Sequence, residues 1–161
     1  MLKYVETLVT FSEVPEEISL CINLSRCPCH CEGCHSPYLA GDIGKELNVE
    51  SLKSLLEGNT GISCVAFMGG DNDPQRVNQL AEYVKSEFDL KVCWYSGRPS
   101  IAEGIKLENF DFIKVGPYRP DKGPLNDPNT NQRFYEINKI SKLPLKFDVK
   151  DITYKFQKNV E

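Results

Sequence analysis

Four apolar segments of this chain each end in a short turn of polar residues or glycine, and this repeated pattern restricts the folds open to it. Residues 18–25 alternate between apolar and polar side chains, as in a strand with one face on a core. Apolar residues recur at helical spacing at 52–56, in a helix predicted to end at Gly58-Asn59. They recur again after Asp73-Pro74, which supply an N-cap and a proline at the first helical position. Each helix lies between strand-like segments. The other strand-like segments are residues 62–68, 90–95 and 110–115.

Strands that alternate with helices predict βαβ units and a mostly parallel sheet. In such sheets the functional loops gather at the carboxyl edge of the strands. A complete eight-fold barrel needs about 250 residues, whereas this chain has 161. We therefore predict an α/β fold, a partial, open (β/α) barrel with a mostly parallel sheet, forming a single domain over residues 1–161. The turns expected to meet at its carboxyl edge are the segment after residue 25 and residues 69–71, 96–97 and 116–118.

The segment after the first strand contains four of the seven cysteines within eight consecutive residues. Cys27, Cys31 and Cys34 have the spacing C-x-x-x-C-x-x-C, and closely spaced thiolates are ligands of iron–sulfur clusters. Three ligands on a four-iron cluster leave one iron open for a substrate. A zinc site is the structural alternative, although zinc sites usually draw two cysteine pairs from separate turns. The fourth thiol, Cys29, is a bystander, a transient ligand or a fourth ligand; an open iron favours the bystander.

The order of the chain's motifs resembles that of radical SAM enzymes and, within that superfamily, of the activating proteins of anaerobic ribonucleoside-triphosphate reductases. The cysteine motif alone is typical of the superfamily, and the later motifs are typical of this branch. The motifs are CPCHCEGCHSP at 27–37, FMGGD at 67–71, WYSG at 94–97, VGPY at 115–118 and TNQR at 130–133. They occur in the family's order and cover most of the chain.

The resemblance implies a 4Fe–4S cluster on Cys27, Cys31 and Cys34, with S-adenosylmethionine bound at the open iron. It implies reductive cleavage of S-adenosylmethionine, and a glycyl radical formed on the large subunit of the anaerobic reductase. A reduced flavodoxin-like or ferredoxin-like protein would donate the electron. The alternatives are an activase of another glycyl radical enzyme, the same chemistry on a small molecule, or a non-catalytic cysteine-rich zinc or iron–sulfur interaction module.

The resemblance also assigns residues to S-adenosylmethionine. Glycine lets the backbone approach a ligand, Asp71 could accept a hydrogen bond from the methionine amino group, and Ser96 could donate to its carboxylate. Gly33 stands where the wider superfamily often has an aromatic residue, as expected in this branch. His35 either lies near the nucleotide or caps the loop, and the glycine turns could be structural only. The candidate residues are Gly33, Cys34, His35, Gly69, Gly70, Asp71, Ser96 and Gly97.

Two further segments have open roles. Val115 stands where the family usually has an acidic residue before the glycine, and Lys114 could partly substitute for it. Arg133 could clamp a carboxylate or the partner's backbone, or residues 130–133 could form a loop closed by side-chain hydrogen bonds. Outside the cluster motif, Cys64 and Cys93 are expected to pack as small buried hydrophobic residues.

Charge and composition bear on partners and location. The net charge is −4 and the chain has no basic run, which argues against a nucleic-acid or membrane partner. The sequence contains no apolar stretch of the length expected for a signal peptide or a membrane span. Clustered cysteines in odd number indicate metal ligation in a reducing compartment. We therefore predict a cytoplasmic protein.

Overall fold

Strands dominate the regular structure in residues 1–34 and 36–157, the part of the chain that the computed structural model describes. The strands are β1 (Leu2–Thr10), β2 (Ser19–Leu24), β3 (Lys45–Leu47), β4 (Cys64–Met68), β5 (Lys91–Tyr95), β6 (Phe112–Val115), β7 (Arg133–Lys142) and β8 (Leu145–Asp151). The α-helices are α1 (Val49–Glu57) and α2 (Pro74–Glu87). Short 3-10 turns lie at Pro37–Ala40, Leu107–Asn109 and Thr153–Gln157.

All eight strands form one sheet in the order β3-β1-β2-β4-β5-β6-β7-β8. The central strands β2, β4, β5 and β6 are parallel neighbours. Antiparallel pairs complete the sheet on both sides: β3 with β1 and β1 with β2 on one, β6 with β7 and β7 with β8 on the other.

The predicted partial, open barrel with a mostly parallel sheet is therefore wrong. Four of the seven strand pairings are antiparallel and three are parallel. The prediction extended the βαβ pattern of the middle of the chain to the whole sheet, but both α-helices of the described residues lie in that middle part. A 3-10 turn replaces the helix between β5 and β6, and β7 follows β6 as an antiparallel neighbour. A parallel pair needs a crossover of a dozen or more residues, and residues 11–18 between β1 and β2 and residues 143–144 between β7 and β8 are too few for one.

Both α-helices begin where side-chain caps satisfy their free backbone N–H groups. Asn48 accepts a hydrogen bond from the Ser51 backbone N–H, and the Ser51 hydroxyl accepts one from the Asn48 backbone N–H, which completes a capping box at α1. Asp73 caps α2 and Pro74 occupies its first turn, as predicted for N-cap and N1 positions. Both helices pack on the same face of the sheet.

The sheet has a core on each face. Leu20, Ile22 and Leu24 of β2 pack towards the helices. Cys21, on the other side of the same strand, belongs to a second core that also contains Cys64 and Cys93. Strand β2 is therefore buried on both sides rather than one, as is usual for a central strand of a parallel sheet. The predicted burial of Cys64 and Cys93 is confirmed, since both are 0% exposed.

Candidate cofactor site

A cavity of about 330 Å³ lies at the carboxyl ends of the four parallel strands. Each strand contributes one of its last two residues to the wall: Leu24, Met68, Tyr95 and Lys114. The volume is at the lower end of the range of small-molecule sites, about 300–1,000 Å³. Seven predicted site residues line the cavity: Cys27, Cys31, Cys34, Gly69, Asp71, Ser96 and Gly97. The turns after β2, β4 and β5 thus meet at one place, as parallel strands require.

The cysteine loop, residues 27–34, is tied to the 3-10 turn that follows it. The Arg26 N–H donates to Gly41 O at 3.0 Å, and the Cys27 N–H donates to Leu39 O at 2.9 Å. Arg26 and His30 have positive φ angles of 60° and 45°. Left-handed backbone at residues other than glycine persists only where the surroundings impose it, and it is common at ligand sites.

The three predicted ligands present their thiols to the same cavity. Cys27, Cys31 and Cys34 are each partly exposed, and all three line its wall. Within residues 1–34 and 36–157, no three His, Cys, Asp or Glu side chains are gathered closely enough to hold a metal ion. Three accessible thiols at one cavity are the donor set that an iron–sulfur cluster requires. The residues therefore fit such a cluster in kind and line one cavity, and binding would have to draw the thiols together.

Cys29 lies outside the cavity wall and has a different environment. Its Sγ is 3.7 Å from Asp71 Oδ2 and is placed to donate a hydrogen bond to it. Burial, together with the Asp71 carboxylate, raises the pKa of the Cys29 thiol to about 12. A metal ligand must be a thiolate, so this environment favours the protonated, non-ligating form of Cys29.

Asp71 organises the turns at the site rather than facing an open space. Its Oδ1 accepts a hydrogen bond from Ser96 Oγ at 2.6 Å, and its Oδ2 accepts one from the Gly97 N–H at 2.8 Å. Arg98 Nε lies 3.4 Å from Oδ1. The residue is 3% exposed, and both carboxylate oxygens already have partners. Asp71 therefore joins the turns after β4 and β5, which fixes the shape of the cavity.

The remaining predicted cofactor residues lie away from the cavity wall or outside the described part of the chain. Gly70 has a φ of +91°, and a Cβ there would meet the Val77 side chain at 2.7 Å, so it serves the packing of α2 on the turn. Gly33 lies against Tyr118 and Pro120. His35 is outside the described residues.

Lys114 is a cavity residue that sequence reasoning considered only as a substitute for an acidic neighbour. Its Nζ donates to Ser96 O at 3.2 Å and to Gly116 O at 2.8 Å. Burial lowers the pKa of Lys114, while Cys31 and Asp71 act in the opposite direction. Val115, at the usually acidic position, points into the core beneath the helices. Alternation along β6 therefore directs Lys114, and not residue 115, towards the cavity.

A second, larger cavity of about 800 Å³ adjoins the first. The two cavities share the wall residues Cys34, Ser36, Met68 and Tyr95. The larger one extends past Phe11, which is 80% exposed. Together the two cavities form an open depression that leads from the protein surface to the cysteine loop.

Residues 130–133 form a loop closed by its own hydrogen bonds. Thr130 Oγ1 donates to Gly123 O at 3.1 Å and accepts from the Gln132 N–H at 3.1 Å. Arg133 Nη2 donates to Thr130 O at 3.3 Å, and Arg133 Nη1 lies 3.5 Å from an Asp151 carboxylate oxygen. These contacts support the alternative of a structural loop, although Gln132 also lines the larger cavity.

Comparisons of the chain with protein-family models, with curated proteins and with solved structures return no match. Among the described residues, no helix combines the length and the apolar character needed to cross a bilayer.

Proposed function

We propose that this chain is a radical SAM activase. It reductively cleaves S-adenosylmethionine at a 4Fe–4S cluster and generates a glycyl radical on the large subunit of an anaerobic ribonucleoside-triphosphate reductase. The observation that carries the proposal is that the three thiols of the C-x-x-x-C-x-x-C motif line one cavity with the turns after β4 and β5. The proposal does not depend on a barrel, because it needs only the neighbouring ends of the parallel strands.

Each part of the cavity has a role in this proposal. Cys27, Cys31 and Cys34 hold the cluster. When bound, the cluster supplies the electron that splits S-adenosylmethionine into methionine and a 5′-deoxyadenosyl radical, which takes a hydrogen atom from the partner's glycine. Gly69 places no side chain in the cavity, so the ligand can approach the wall there. Its N–H and C=O are already paired with Tyr95 O and Trp94 Nε1. Lys114 contributes positive charge near the methionine carboxylate.

The larger cavity accounts for access to a macromolecular substrate. With about 800 Å³ beside the cysteine loop, the depression admits a segment of a partner chain together with the cofactor. The electron comes from a reduced flavodoxin-like or ferredoxin-like protein. A reducing cytoplasm is the compartment in which seven free cysteines remain reduced.

Anaerobic reconstitution with iron and sulfide tests the proposal directly. After reduction with dithionite, the protein is expected to convert S-adenosylmethionine into 5′-deoxyadenosine, measured by chromatography. Addition of an anaerobic reductase should then produce a glycyl radical signal in electron paramagnetic resonance spectra. Absence of 5′-deoxyadenosine refutes the activase. Its presence without a glycyl radical on the reductase leaves the cleavage chemistry intact and shows that the target is wrong.

A matched pair of loop variants tests the ligand assignment. Cys31→Ser should lower cluster iron and 5′-deoxyadenosine formation more than about tenfold, because a lost ligand costs at least as much as a lost outer-shell partner. Cys29→Ser should retain both, because the serine hydroxyl replaces the thiol as a hydrogen-bond donor towards Asp71 and no ligand is removed. Equal losses in the two variants would show that Cys29 also binds the cluster.

A further inference from the structure

The Cys29 side chain occupies a gap that exists because residue 97 has no side chain. A Cβ at Gly97 would lie 2.7 Å from Cys29 Sγ and 3.3 Å from Cys29 Cβ. A carbon–sulfur separation of 2.7 Å is well inside van der Waals contact, so a side chain at 97 would force the Cys29 thiol to move. Gly97 is not among the glycines with positive φ, so its backbone conformation does not require glycine. Glycine at 97 therefore leaves this space to the Cys29 thiol.

The same gap contains a hydrogen-bond acceptor for the thiol. Asp71 Oδ2 accepts from the Gly97 N–H at 2.8 Å and lies 3.7 Å from Cys29 Sγ. A Cβ at Gly97 would come 3.6 Å from this oxygen. Gly97 and Asp71 thus enclose the Cys29 thiol. Because Asp71 also holds Ser96, this contact links the cysteine loop to the turns after both β4 and β5.

Cys29 lies midway between two of the three proposed ligands. It is two residues after Cys27 and two before Cys31. The Cys27 backbone N–H donates to Leu39 O, which gives the loop one fixed point. A second fixed point at Cys29 restrains the backbone between these two residues and the direction in which the chain continues to Cys31.

We propose that Cys29 is a positioning residue: its thiol, held against Gly97 and Asp71, keeps the cysteine loop in the arrangement in which Cys27, Cys31 and Cys34 face the cavity. The effect on cluster binding rests on the proposed function. The contact itself exists in the metal-free chain and can be tested there. Cys29 is therefore neither a ligand nor a bystander.

The experiment compares five proteins: the unaltered chain, Gly97→Ala, Cys29→Ala, the double variant, and Gly41→Ala as a control. Gly41 has a φ of −73°, and a Cβ there meets nothing nearer than 3.4 Å. In metal-free protein, iodoacetamide labelling of Cys29 is followed by mass spectrometry and normalised to the rate in urea. After reconstitution, iron per chain and its rate of loss to a chelator are measured.

In Gly97→Ala, Cys29 should be labelled about tenfold faster than in the unaltered chain, since overpacking by one methyl group shifts an opening equilibrium by roughly fivefold to a hundredfold. In Gly41→Ala, Cys29 should be labelled at the same rate as in the unaltered chain. In the reconstituted proteins, Gly97→Ala should release iron about tenfold faster. Cys29→Ala alone should bind iron and release it faster than the unaltered chain, because the loop loses its anchor, but more slowly than Gly97→Ala. The double variant should match Cys29→Ala alone, because the remaining 3.3 Å contact needs a shift of only a few tenths of an ångström.

Four results would overturn the proposal. Unchanged labelling in Gly97→Ala would show that Cys29 is not held by this gap. Iron retention in Cys29→Ala equal to that of the unaltered chain would make Cys29 a bystander, and a loss of bound iron as complete as in Cys31→Ser would make it a ligand. Failure of the double variant to recover to the level of Cys29→Ala would mean that Gly97 acts on the cofactor and not through Cys29. If the unaltered chain binds no iron, the proposed function fails, and the labelling result still decides whether Gly97 holds Cys29.

Discussion

Three buried thiols lie close together on the sheet face opposite the helices. Cys21 on β2 and Cys93 on β5 are both paired in register with Ala66 of β4, and Cys64 lies two residues before Ala66 on the same face. Burial raises the pKa of the Cys64 thiol from 9.0 to about 12. These cysteines serve as packing residues whose protonation is coupled to folding.

The coupling has a defined sign for Cys64. The unfolded chain loses the thiol proton near pH 9, whereas the folded chain keeps it to about pH 12. The stability contributed by the protonated thiol is therefore complete below pH 9 and is lost as the pH rises towards 12. Cys64→Ala removes this dependence, so its stability deficit should shrink by about 1.4 kcal/mol between pH 7 and pH 10.

Urea unfolding under anaerobic, reducing conditions at the two pH values measures this difference. Ala66→Gly on the same strand and face is the control, and its deficit should be the same at both pH values. A Cys64→Ala deficit that does not change with pH would mean that the thiol ionises equally in the folded and unfolded chain.

The burial of a residue could be predicted from sequence where an apolar run continues along the whole strand. Cys64 lies in a continuous apolar run, which predicts burial whichever face it occupies. Lys114 and Val115 required the structure, because a four-residue strand carries too little pattern to show which face meets the cavity. The contact between Cys29 and Gly97 joins residues 68 positions apart, and local spacing contains no signal for it.

At the scale of elements, the helices could be located from local chemistry. Helix ends depend on residues within one turn, since unpaired backbone groups need nearby partners. Asp73 and Pro74 marked the start of α2, and Gly58 marked the end of α1. The capping box at Asn48 was not recognised, although its two residues are only three positions apart.

The capping box makes α1 sensitive to one exchange at its N-cap, Asn48. Asn48→Ala removes the acceptor for the Ser51 N–H, now bonded at 2.9 Å, and should lower the free energy of unfolding by about 1 kcal/mol. Hydrogen exchange at the Ser51 amide should accelerate about fivefold, the change in an opening equilibrium that corresponds to about 1 kcal/mol. Lys53→Ala, on the exposed middle of the same helix, should stay within about 0.5 kcal/mol of the unaltered chain. Equal effects of the two variants would show that the cap does not stabilise α1.

Strands were less predictable than helices because their stabilising partners are distant in sequence. The central strands β2, β4, β5 and β6 were found near their observed bounds, since apolar residues or strict alternation mark them. Strand β1 went unrecognised because most of its residues are only partly buried. Strand β3 has three residues, and β8 is exposed along nearly its whole length. The edge strands β3 and β8 therefore lack the apolar pattern that reveals a core strand.

At the scale of the whole molecule, the prediction was wrong about the outer strands, which pair antiparallel and not parallel. Periodicity identifies a strand but not whether its neighbour is parallel, and the α/β alternation in the middle of the chain was extended to both ends. The convergence of the turns was nevertheless predicted, because it requires only that β2, β4, β5 and β6 be parallel neighbours. The candidate site could therefore be predicted from the parallel central strands, whereas the overall architecture depends on the antiparallel strands on both sides of them.

The antiparallel half of the sheet supports the candidate site through one aromatic cluster. Phe134 of β7 is 0% exposed, and its ring centroid lies 5.9 Å from Tyr95, 5.7 Å from Phe112 and 4.9 Å from Phe156. Tyr95 lines both cavities. Phe134 therefore connects the outer strands to the cavity wall, and we expect the two halves of the sheet to unfold together.

Phe134→Ala should lower the free energy of unfolding by about 3–5 kcal/mol, since it leaves a cavity beneath three aromatic rings. Phe134→Leu, which fills part of that space, should cost less and keep the chain folded if the alanine variant does not fold. Leu143→Ala, at a side chain that is 94% exposed, should change stability by less than about 0.5 kcal/mol.

Trp94, the single tryptophan, lies on a parallel strand, so its fluorescence reports on the half that does not contain the substitution. If the halves are one cooperative unit, fluorescence and far-ultraviolet circular dichroism will give one urea midpoint, shifted equally by Phe134→Leu. A shift in circular dichroism without a shift in Trp94 fluorescence would show that the parallel strands, with the cavity at their ends, hold together without β7 and β8.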